Sequence, residues 1–188
     1  MTRLTFLGLL GATIERGDDH REVFRLLRPG LDLRAAAAER EAAGEIVHVI
    51  VDDLYPDALP CLRSLASSGY RLGVVGNQPE QTEELLRSLD VGLELIASSA
   101  TLGVPKPEPA FFEAIVERLG LDPAAIAYVG DRVDNDIGPA AAIGMRTILV
   151  RRGPWAWIQS GRADPPMADA VIEDLRGLPA VLAALTGG

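Results

Sequence analysis

Three carboxylates and one amide fall within the seven-residue run Gly130-Asp131-Arg132-Val133-Asp134-Asn135-Asp136, which follows directly on the apolar segment Ile126-Ala127-Tyr128-Val129. Carboxylates gathered at the end of a buried strand are hard oxygen donors of the kind Mg2+ takes, one or two at a time, together with water and phosphate. Asp131 and Asp136 are the candidate metal ligands. Asp134 and Asn135 have a simpler role open to them as helix-cap and turn residues. A cation stands upstream, where Lys106 lies between Pro105 and Pro107. The two prolines restrict the backbone and aim the ammonium. Gly76-Asn77-Gln78-Pro79 opens a helix, and the free amides of such a turn can hold an anion.

The elements that must position them are short apolar runs alternating with helical patterns. Residues 4–10, 71–75, 93–97, 126–129, 147–150 and 170–172 read as strands. Residues 57–68, 79–89, 108–119, 134–143 and 178–185 carry apolar residues at three- and four-residue spacing and read as helices. Strand and helix in alternation imply right-handed crossovers and a mainly parallel sheet covered on both faces. In such a sheet ligands bind at the carboxyl ends of the strands, where the groups above fall. Residues 15–48 break the alternation with two helical stretches, near 19–27 and 32–43, parted by Pro29-Gly30. They read as a small helical insertion, leaving residues 1–14 and 49–188 as the core.

Composition narrows the function classes. The 188 residues carry 18 basic and 27 acidic side chains, a formal charge of −9, which disfavours nucleic acid and anionic membranes as partners. One cysteine, Cys61, leaves no intramolecular disulfide and fits a reducing, cytoplasmic setting. No apolar run approaches the ~20 residues of a membrane span, and no signal peptide is read at the N-terminus.

At this point the chain resembles the haloacid dehalogenase-like (HAD) superfamily, mostly phosphatases with a Rossmann-like α/β core. Val104-Pro105-Lys106-Pro107-Glu108-Pro109 followed by Phe112 is similar to that family's lysine motif. Tyr128-Val129-Gly130-Asp131, then Asn135-Asp136, then Ala142-Ile143-Gly144-Met145, is similar to its acidic fourth motif. The resemblance implies Mg2+ held by Asp131 and Asp136, a catalytic setting that includes Lys106 and Asp131, and phosphate held by Thr13, Gly76, Asn77 and Lys106. It also implies that the helical insertion is a reduced cap. Family members carry Asp-x-Asp-Gly-Thr at the end of the first strand, the first Asp as nucleophile and the second as acid/base. Aligned on Thr13, those positions hold Leu9 and Gly11, and the usual Ser or Thr of the second motif falls at Gly76. An attacking carboxylate cannot be replaced by methyl groups, so this alignment implies loss of the phosphoaspartate mechanism, a cost of roughly 10⁴–10⁶ in turnover.

Three functions stay open: a phosphatase relative that binds a phosphate-like anion without turnover, a divergent Mg2+-dependent catalyst, and an interaction module. Asp18 and Asp19 are alternative carboxylates for the second, although each also suits a helix start. Lys106 pairing internally with Asp131 is the plain alternative to an anion site. Arg151-Arg152-Gly153-Pro154-Trp155-Ala156-Trp157 follows a strand, and Arg151, Arg152, Trp155 and Trp157 are candidates for a protein partner, or else a packed loop. His20 and His48 lack metal spacing and read as solvated or packed, and Cys61 reads as core.

Overall fold

A computed structural model describes residues 3–45, 49–161 and 168–186. His48 lies outside the described residues. The chain forms two compact units, Met1–His48 and Val49–Gly188.

The first unit is helical: α1 (Arg3–Arg16), α2 (Glu22–Leu27) and α3 (Leu33–Ala42). The strand expected over residues 4–10 is therefore part of a helix, and residues 1–14 belong with 15–48 rather than with the core. Residues 4–10 are leucine-rich with one β-branched residue, Thr5. An apolar run this short is ambiguous by periodicity, and its leucines are strong helix formers. The Phe6 and Phe24 rings meet at 6.0 Å between α1 and α2. Asp32 caps α3 by accepting the Arg34 and Ala35 amide hydrogens.

The second unit alternates as expected. It runs α4 (Ala58–Ser67), β1 (Leu72–Gly76), α5 (Gln81–Ser88), β2 (Leu93–Ser98), α6 (Ser99–Leu102), α7 (Pro109–Leu119) and β3 (Ala127–Gly130). A π-helical turn, Val133–Ile137, then leads into α8 (Gly138–Ala142), β4 (Arg146–Val150), α9 (Gly153–Ser160), β5 (Ala170–Ile172) and α10 (Leu178–Thr186). β1 pairs in parallel with β2, and β3, β4 and β5 form a second parallel ladder.

Burial follows the pleat. On β3, Tyr128 faces a core with Phe111, Phe112 and Ile115 of α7 and Ala140 of α8. Ala127 and Val129 face the opposite core, with Cys61 and Leu65 of α4 and Leu178 and Leu182 of α10. Leu72 of β1 joins that second core, so both ladders rest on one α4–α10 layer. β1 and β3 each keep one edge to which no described strand is hydrogen-bonded. Asp57, just before α4, accepts Arg152 Nη1 at 3.1 Å and the Leu175 amide at 2.9 Å, tying α4 to the end of β4 and the approach to α10.

Candidate active site

Both ladders deliver their carboxyl ends to Lys106, the only lysine in the sequence beside seventeen arginines. Asn77, directly after β1, brackets the Lys106 backbone: its Oδ1 accepts the Lys106 amide at 2.7 Å and its Nδ2 donates to the Lys106 carbonyl at 2.9 Å. The side chain then reaches across to β3, where Nζ donates to Asp136 Oδ1 at 2.6 Å. Lys106 is 12% and Asp136 4% exposed at the side chain. The Tyr128 ring lies beneath, its centroid 5.9 Å from Nζ. Burial, then the nearby Asp136 carboxylate, pushes the Tyr128 phenol far above its ordinary pKa, so it stays protonated.

Asp136 is held on its other oxygen by the Arg132 amide, which donates to Oδ2 at 3.1 Å. The π-helical turn makes this possible by carrying Asp136 back over β3. Gly130 leaves the space for it: a Cβ there would stand 2.5 Å from Asp136 Cβ. The buried Gln159 of α9 accepts the Val133 amide at 2.8 Å and fixes the start of the turn.

Sequence reasoning and structure agree in part. Asn77, Lys106, Asp131 and Asp136 come together at one sheet edge, and Gly76 ends β1 beside them. The lysine pairs with Asp136, not Asp131. Asp134 does not cap a helix; it pairs with Arg132 at 2.8 Å. Leu9, Gly11 and Thr13 lie within α1, where the Thr13 hydroxyl donates to the Leu9 carbonyl at 2.8 Å. The resemblance places Leu9 and Gly11 at a strand end, whereas here all three residues sit on a helix, in the first of the two compact units. Asp18 and Asp19 are engaged by Arg16 and Arg21. Arg21 holds the Asp19 carboxyl down at about 2.

Trp155 and Trp157 belong to α9 rather than to a loop. Arg151 lies 4.8 Å from the Trp157 ring, Arg132 5.2 Å from Trp155, and Arg152 4.0 Å from Tyr55. Each guanidinium also has a carboxylate, in Glu173, Asp134 and Asp57 respectively. None of the three therefore offers an uncommitted charge to an anion.

Asp131 is the remaining carboxylate. It is open to solvent, yet partial burial, and then repulsion from Asp136, raise its pKa. A group whose folded pKa lies above its unfolded value is strained when charged, and that strain develops as pH rises through the unfolded pKa. Asp131→Asn is therefore expected to stabilise the protein at pH 7 by less than about 1 kcal/mol, given the solvent screening. The gain should vanish in acid, below the carboxyl range. Thermal unfolding of both forms across pH checks the sign.

Asp131 and Asp136 are the carboxylates that would hold Mg2+ here: Asp136 accepts one hydrogen bond on each oxygen, Asp131 is open to solvent, and no group of three or more metal-ligating side chains exists among the described residues.

Known proteins place the chain. A family described as haloacid dehalogenase-like hydrolase matches residues 9–144. The glyceraldehyde 3-phosphate phosphatase of Methanopyrus kandleri is 37% identical over 127 residues, covering 66% of this chain and 54% of that protein. Its counterpart in Methanocaldococcus jannaschii is 33% identical over 127 residues, with the same coverage of 66% and 54%. The chain thus spans about half the length of the curated relatives it matches. Among solved structures, a HAD phosphatase from Thermococcus onnurineus superposes with a TM-score of 0.59 at 25% identity, covering 95% of this chain and 89% of that one. Taken with the parallel ladders and the grouping of Lys106 with Asp131 and Asp136, these matches establish that the chain belongs to the haloacid dehalogenase-like hydrolases.

Proposed function

We propose that residues 49–188 build the phosphate-holding half of a phosphatase site and do not by themselves turn over a phosphomonoester. The observation that carries this is the buried Lys106–Asp136 pair, bracketed by Asn77 where the carboxyl ends of β1 and β3 converge. Asp136 takes one of the ammonium's three donors, and a phosphate oxygen at the sheet edge could use another. The lysine is consistent with this role. The other seventeen basic residues are arginines, and a compact ammonium is kept only at position 106, whose side chain is 12% exposed.

Among the described residues the carboxylates beside Lys106 are Asp136, which accepts a hydrogen bond on each oxygen, and Asp131, at the start of the turn after β3. None lies in the Asn77-Gln78-Pro79 turn after β1, and Leu9 and Gly11 lie in α1. The free edges of β1 and β3 over a shared apolar layer suit a further strand, and such a strand would deliver its carboxyl end beside Lys106. The substrate class this reading favours is small phosphate esters, as in the glyceraldehyde 3-phosphate phosphatases it is similar to.

Orthophosphate is the direct probe. At about ten times a dissociation constant on the order of 1 mM, it should stabilise the fold by about 1.4 kcal/mol. For a chain of this size that is a rise in Tm of roughly 3–6 °C. A panel of phosphate esters with Mg2+ should release no more phosphate than the Asp131→Asn variant does. Turnover well above that control would overturn the second half of the proposal.

A further inference from the structure

We propose that Glu83 is a positioning residue that sets the aim of Lys106 by locking α6 to α5. It touches no part of the site. Its side chain is buried on α5, where Oε1 accepts the Ser98 amide at 2.8 Å and the Thr101 hydroxyl at 2.6 Å. Arg87 donates to Oε2 at 2.7 Å from the next turn of α5. Ser98 and Thr101 are the two cap residues of α6: the Thr101 amide donates to Ser98 Oγ at 3.2 Å, and the Ser98 amide also reaches Thr101 Oγ1 at 3.1 Å. One carboxylate thus fixes both ends of the turn that starts the lysine segment.

From α6 the path to Lys106 is short and stiff. Only Gly103, Val104 and Pro105 intervene. Gly103 turns the chain in the left-handed region at φ 72°, and Leu102 and Val104 pack against the α7 core. A rotation of α6 therefore carries through to Lys106 with little slack. Asn77, on the loop leading into α5, holds the far end of the same segment. The lysine segment is thus clamped to the β1–α5 region at two points, one polar and uncharged, the other ionic.

A buried carboxylate is an expensive way to fasten a turn, since burial penalises its charge and an apolar contact could replace it. Here the donors win. Thr101 above all, then Ser98 and Arg87, hold the Glu83 carboxyl down at about 2 against desolvation. The lock accordingly stays ionic throughout the neutral range.

The proposal rests on Lys106 as the anion-holding group, and the test separates the two ideas. Protein grown on lysine enriched with ¹³C at Cε gives one side-chain lysine signal, because Lys106 is the only lysine. Glu83→Ala is expected to move or broaden that signal while the protein is still folded, and to weaken orthophosphate binding about tenfold, as loss of a supporting partner does at other sites. Glu83→Gln keeps an oxygen for Ser98 and Thr101 and should restore most of both. Arg87→Ala removes only the contact to Oε2 and should change both less than Glu83→Ala does. Should Glu83→Ala unfold, Thr101→Val removes the 2.6 Å bond to Glu83 together with the hydroxyl's bonds to Ser98, keeps the Glu83–Ser98 bond, and should shift the same signal. A Lys106 signal unmoved in the folded Glu83 or Thr101 variants overturns the positioning role. If the signal moves but the unmodified protein takes up no orthophosphate, positioning stands and the phosphate reading fails.

Discussion

Lys106→Met is expected to destabilise the protein by about 3–5 kcal/mol at pH 7, the usual cost of leaving one member of a buried ion pair alone. The size follows from the surroundings of the carboxylate left behind. Asp136 is 4% exposed at the side chain, and with Lys106 gone its Oδ1 would have no donor, while Oδ2 would keep only the Arg132 amide at 3.1 Å. Methionine fills the space of the lysine stem, so little of the loss comes from a cavity. Adding Asp136→Leu should recover much of the stability, because removing both charges costs far less than removing one. Urea unfolding with an unchanged slope measures each step. A single-variant loss below about 1 kcal/mol would mean that the pair behaves as an exposed one.

Gly130→Ala should be comparably damaging, at about 3 kcal/mol or more, for a reason unrelated to backbone freedom. The added methyl would stand 2.5 Å from Asp136 Cβ and 2.6 Å from Cγ and Oδ2. Overpacking of this kind costs about 1–3 kcal/mol by itself. Here the group that must yield is the short side chain whose two oxygens hold Lys106 and the Arg132 amide, so relief comes only by loosening the pair. Gly73→Ala is the internal control. Its methyl would approach the Leu95 side chain at 3.3 Å, a strain that a small shift absorbs, so the loss should be clearly smaller. Combining Gly130→Ala with Asp136→Ala should cost less than the sum of the two, because the clash and the pair involve the same atoms.

The places where sequence and structure part company have physical reasons. Residues 72–76, 93–98, 127–130, 146–150 and 170–172 are strands, as their short apolar runs between glycine and proline signals suggested. Residues 4–10 look similar in composition but are helical, and they hold no valine or isoleucine, whereas each of the five strands holds at least one. Leu9, Gly11 and Thr13, which the family resemblance sets at a strand end, therefore lie on a helix. The residues of the site were legible as types and spacing, whereas their pairing was not. Lys106 meets Asp136 because a π-helical turn, which no simple periodicity announces, moves Asp136 back over Gly130. Two signals were present and unread. One is the solitary lysine in an arginine-rich chain. The other is Glu83 on an otherwise ordinary amphipathic helix, whose importance emerges only when Ser98 and Thr101, 15 and 18 residues away, arrive beside it.

The phosphate site itself is best tested by observing Lys106 directly. With ¹³C at lysine Cε, the single side-chain lysine signal can be followed as orthophosphate is added, with chloride at matched ionic strength as the reference. The signal should move saturably with a dissociation constant on the order of 1 mM, and Asn77→Ala should weaken that response. A signal that ignores orthophosphate, or follows chloride equally, would reduce the Lys106–Asp136 pair to an internal salt bridge and contradict the proposed site.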